Sequence, residues 1–119
     1  MNTTSHIRIL LLEIGIPANL LGFNYIVYAI QLALTNSEYS LRMSKQLYVD
    51  VAHHFKTNIS AVERCMKHAI VTGMEYGSQE LAEQIFKNSI NPKKGFPTCS
   101  QFITSVCLYM ARELPDIEQ

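Results

Sequence analysis

"SAVERCMKHAI", residues 60–70, sets Glu63, Arg64, Lys67 and His68 beside an apolar series, Val62, Met66, Ala69 and Ile70, that continues to Gly73. Apolar residues three and four apart make one face of a helix. The series predicts a helix from Ser60 to about Tyr76, where Gly77 is a natural terminator. Ser60 followed by Glu63 fits a capping box, which would define the helix start. Ala61, Arg64, Lys67, His68 and Val71 fall away from the core stripe, and Glu63 lies near its edge. The polar groups therefore gather in the N-terminal half of the helix, directly after a short link, Lys56–Ile59.

Upstream, Leu47, Val51 and Ala52 give the apolar side of a helix over about Met43–Phe55. Ala52 stands ten residues before Val62, a spacing that suits a small residue at a helix crossing and a branched one where the second helix meets the core. This is the pattern of a helix-turn-helix, although Lys56 occupies the turn position where glycine is commonest. Further out, helices are predicted over about Thr4–Ile14, closed by Gly15-Ile16-Pro17, and over Ala18–Asn36. A fifth runs from a Ser78 cap to about Asn88. Asn91–Pro97 reads as a loop. Thr98 with Gln101 forms a second capping-box pattern, opening a last helix that ends near Glu113. The expectation is one all-α domain of six helices spanning residues 1–119, with no internal repeat or linker.

Composition agrees. Of 119 residues, 48% are hydrophobic and 17% charged, which excludes disorder and supports a core. The uncharged stretch from Pro17 to Leu34 is near the minimum for a membrane span, but Asn19, Asn24, Gln31, Tyr25 and Tyr28 interrupt it, so a buried central helix is expected and no membrane association. Cys65, Cys99 and Cys107 lie far apart with no CxxC pair and read as reduced thiols of a cytoplasmic protein. The N-terminus shows no signal-peptide pattern.

Net charge is zero, which by itself argues against nucleic acid as partner; its distribution does not. Residues 42–68 carry Arg42, Lys45, Lys56, Arg64 and Lys67 against Asp50 and Glu63, a net +3, and Lys93 and Lys94 add a second basic point. The remaining segments are acidic. An anionic partner would be met at those two places. Arginine pairs with guanine, glutamate accepts from the cytosine amino group, and lysine and histidine reach phosphates, so the outward face of residues 60–68 has the chemistry of a recognition helix. A solvated amphipathic surface accounts for the same pattern, and residues 60–76 alone do not decide between the two.

No catalytic arrangement is visible. Cys65 and His68 are three apart, but no second pair completes a zinc site. His53 and His54 are adjacent and point in different directions, one toward solvent near the turn and one toward packing. No Ser/His/Asp order, Gly-rich phosphate loop or carboxylate pair occurs, so neither enzyme activity nor a cofactor or metal is expected. The methionines read as core fillers.

Five blocks in order, "EIGIPA" (13–18), "GFNYIVYAI" (22–30), "KQLYVDVAHHF" (45–55), "SAVERCMKHAI" (60–70) and "PTCSQFI" (97–103), resemble the C-terminal effector domain of the stage-zero sporulation master response regulators, over about Ile7–Met110. The resemblance implies a six-helix domain whose third and fourth helices form the helix-turn-helix. It implies sequence-specific binding to a short promoter box in double-stranded DNA, as a homodimer or tandem copies, with contact to RNA polymerase in the nucleoid. It carries over Ser60, Glu63, Arg64, Lys67 and His68 as DNA contacts, and Lys94 as a basic loop position. Lys56 and Lys93 join that set as neighbouring cations. Ala61 stands where the family usually has arginine, Phe96 where lysine is common, Val49 for a proline, and Cys99 and Gln101 for asparagine and glutamate. Two fewer cations predict weaker binding than in the full regulator and a salt slope flatter by about two units at most. The sequence contains no receiver domain, so it is expected to be either an excised domain or a stand-alone relative, and the start "MNTTSH" favours the second. The rival expectation is an interaction module that pairs with or antagonises a full-length regulator, using the fifth helix with Leu81, Ile85 and Phe86.

Overall fold

The computed structural model describes residues 2–36, 45–86 and 95–113. Among them are six α-helices and no strand: α1 (Thr3–Ile14), α2 (Leu21–Thr35), α3 (Lys45–His54), α4 (Ile59–Tyr76), α5 (Gln79–Phe86) and α6 (Cys99–Glu113).

α2 is the central helix. Phe23, Ile26, Ala29 and Ile30 are fully buried, and α1, α3, α4 and α6 all pack against it, α4 most extensively. The uncharged run is thus explained by burial on several sides. No helix among the described residues is long and apolar enough to cross a membrane. α2 starts three residues later than expected. Ala18–Leu20 form a turn instead, with Leu20 N–H donating to the Pro17 carbonyl at 3.3 Å, and the N-cap Leu20 offers no side-chain acceptor to extend the helix backward.

Gly22 is the second residue of α2. It lets α2 cross α4 at backbone distance: a β-carbon there would collide with the Cys65 carbonyl and crowd the Ala69 methyl. A second close approach joins the ends of α1 and α4. Gly15, at φ +116, closes α1, with Ile16 N–H reaching the Leu11 carbonyl at 3.0 Å. Ser78 N–H then donates to the Ile14 carbonyl at 3.1 Å, and a side chain on Gly77 would strike that same carbonyl.

Two predicted caps are present. Ser78 Oγ accepts from Leu81 N–H at 3.2 Å. Thr98 and Gln101 close a reciprocal box at α6, at 3.1 and 2.9 Å. Ile85 and Phe86 of α5 are buried, and Phe86 meets Phe102 of α6 with ring centroids 5.4 Å apart. Met66 and Met110 are core residues. Cys107 is buried, which pushes its thiol up to about 12. The expected end of the fifth helix at Asn88 and the loop from Asn91 fall partly outside the described residues.

Candidate nucleic-acid interface

α3 ends by a backbone device that fixes the direction of the chain. Thr57 N–H bonds the Ala52 carbonyl at 2.9 Å and Lys56 N–H the His53 carbonyl at 3.2 Å, with Lys56 at φ +56. This pair of bonds around a left-handed residue is a Schellman closure, made here with lysine where glycine is usual. Phe55 therefore lies in the turn and not in the helix.

The next correction concerns the cap of α4. Asn58, extended at φ −123 and ψ 165, accepts Ala61 N–H on its side-chain oxygen at 2.9 Å. Ile59 is the first helical residue, so Ser60 stands two positions too late to cap and Glu63 two too late to complete a box. The sequence contained this rival cap two residues upstream of the one favoured. The consequence is that Ser60 Oγ is not committed to closing the helix.

Beyond the cap, the predicted faces are correct. Val62, Met66, Ala69, Ile70 and Gly73 are buried. Ser60, Glu63, Arg64, Lys67 and His68 are all exposed, as is Lys56 in the turn. At about 100° per residue, Ser60, Arg64 and Lys67 share the outward centre of α4, with Glu63 on one flank and His68 on the other. Arg64 and Lys67 make no ion pair among the described residues; the pair found there is Arg112–Glu113. Both cations are therefore available to an external anion. The helix N-terminus adds unsatisfied N–H groups and positive potential at the same end. Lys93 and Lys94 lie outside the described residues.

The Glu63 flank opens on a cleft of about 520 Å³ shared with α3 and the start of α6, lined by Tyr48, Lys67, Val71, Phe96 and Cys99 among others. Two side-chain contacts close its far wall: Tyr48 Oη lies 3.1 Å from Ser100 Oγ, and Cys99 Sγ reaches the Glu63 carbonyl at 3.8 Å. Burial raises the Tyr48 hydroxyl above its ordinary range, partly offset by Ser100. Burial, then the Glu63 carboxylate, raises the Cys99 thiol, so this cysteine stays a neutral packing group.

The aromatic corner behind the turn was not legible from spacing. Tyr28 of α2 stacks on His54, centroids 3.9 Å apart and planes at 13°, and Phe55 sets its edge against both. Tyr25 meets Phe55 at 4.9 Å. His54, although exposed, is the histidine engaged in packing; among the described residues no ring contact involves His53.

Two helices joined by a fixed turn, the second presenting on its outward face cations that make no ion pair among the described residues, define a helix-turn-helix DNA-binding domain. A family model described as "Sporulation initiation factor Spo0A C terminal" matches residues 7–110. The chain belongs to that family of DNA-binding effector domains and has its transcription-regulatory, non-catalytic role.

Proposed function

We propose that the domain reads a short promoter box in double-stranded DNA through the first turns of α4. Arg64 and Glu63 meet base edges. Lys67 and His68 meet phosphates, and Ser60 and Lys56 meet the backbone where the helix enters the groove. Lys93 and Lys94 join the phosphate contacts on the strength of the family resemblance. The observation that carries this reading is the exposure of Arg64 and Lys67, without an ion pair among the described residues, just beyond a helix start fixed by Asn58.

The finer setting is part of the same proposal. The domain works in the nucleoid, in tandem or as a homodimer on DNA. The surface of α5, where Glu80 and Glu83 stand beside a groove floored by Met74, Ala82 and Phe86, serves RNA polymerase.

The test is fluorescence-anisotropy titration of labelled duplexes, one carrying a box selected from a random library and one scrambled. Wild type should prefer the box, and Arg64→Ala together with Lys67→Ala should abolish the preference. A double variant that keeps its preference would assign the activity to a pairing surface instead.

A further inference from the structure

We propose that His54 is a positioning residue for DNA recognition: stacked on Tyr28, its imidazole fixes the angle at which α4 leaves the turn. This rests on α4 being the reading helix.

The geometry makes the corner a control point. α4 is held at its middle by the backbone contact between Gly22 and Cys65. Its N-terminal part projects beyond that contact. Cys65 lies six positions after Ile59, so the N-terminal arm is about 9 Å long. A tilt of about 10° would move its tip by roughly 1.5 Å, more than the spread of about 0.5 Å that good hydrogen bonds tolerate. Opposing such a tilt are the burial of Val62 in the core, the Cys99 contact to the Glu63 carbonyl and, at the tip, the attachment of the turn to the core.

That attachment is made of rings. Phe55 is half-buried and lies between Tyr25, Tyr28 and His54. His54, exposed, stacks on Tyr28 and stands edge-on to Phe55, on the solvent side of the group. Only Thr57 and Asn58 stand between the Schellman closure at Lys56 and the first residue of α4. Rotation at the end of α3 is therefore passed to α4 with little slack. Because His54 is exposed, truncating it leaves no internal cavity, which separates its positioning role from core stability.

The experiment compares wild type, His54→Ala and His54→Phe on selected-box and scrambled duplexes in one buffer at one salt concentration. Thermal unfolding is followed in parallel, with Kd values taken on fully folded protein. An aromatic contact of this kind predicts a loss of box affinity of about three- to tenfold for His54→Ala. Scrambled-duplex affinity should be unchanged, since phosphate contacts do not depend on fine angle. His54→Phe, which keeps a planar ring on Tyr28, should restore the preference. The proposal is overturned if His54→Ala binds the box as wild type does, if both duplexes weaken equally, or if phenylalanine fails to rescue. A wild-type protein without preference for the box would remove both this inference and the reading on which it rests.

Discussion

Arg64 and Lys67 carry different kinds of information, and their substitutions should separate them. Arg64→Ala removes a base contact and should cost about 1–3 kcal/mol on the selected box while relaxing specificity at one position, measured with single-base variants of the duplex. Lys67→Ala should weaken selected and scrambled duplexes alike and lower the slope of log K against log salt by about 0.9. The corrected cap is tested at the same scale. Asn58→Ala should destabilise by about 1 kcal/mol in urea unfolding, and Ser60→Ala by much less, because Asn58 holds the Ala61 amide. The opposite order would restore Ser60 as the cap. Lys56 sits at φ +56, where a β-carbon is strained, so Lys56→Gly should leave stability unchanged or raise it by up to about 1 kcal/mol. Its loss of charge should be read on DNA separately.

For the elements, the crossing of α2 and α4 decides where the reading helix points. Gly22→Ala inserts a methyl against the Cys65 carbonyl, a backbone atom that cannot step aside without moving a helix. Overpacking of this kind should cost about 1–3 kcal/mol or more and appear as a lower melting temperature. A variant as stable as wild type would mean the crossing has room the structure does not show. The core face of α4 was legible in the sequence because Val62, Met66, Ala69 and Ile70 repeat at helical spacing, a local signal. The caps at Ser78 and Thr98 were legible for the same reason. The role of Gly22 was not, since a glycine near a helix start looks like a boundary until the partner helix is in place. Nor was the ring cluster at the turn, because Tyr28 and His54 are far apart in sequence and meet only when α2 and α3 pack. The choice of Ser60 as the cap of α4 failed for a different reason: two acceptable caps lay two residues apart, and the chain leaving the closure at Lys56 uses the first, Asn58.

Taken as a whole, the molecule combines a neutral chain with a localised basic unit, and the exposure of Ser60, Glu63, Arg64, Lys67 and His68 was legible because it follows from helix periodicity. Stability should fall at high pH through Cys107. Its buried thiol ionises at about 12, whereas the unfolded thiol ionises near 9. The protonated form is therefore favoured by folding. The contribution is complete below pH 9 and is lost as pH rises toward 12, at a slope approaching 1.4 kcal/mol per pH unit. Cys107→Ala should remove that share of the slope in urea midpoints taken across this range; an unchanged slope would assign it to other groups. The most direct test of the DNA-reading account is the Kd of wild type and Arg64→Ala for selected and scrambled duplexes at one moderate salt concentration. The account predicts a wild-type preference for the selected box that the variant largely loses. Equal wild-type affinity for the two duplexes, or an undiminished preference in Arg64→Ala, would contradict it.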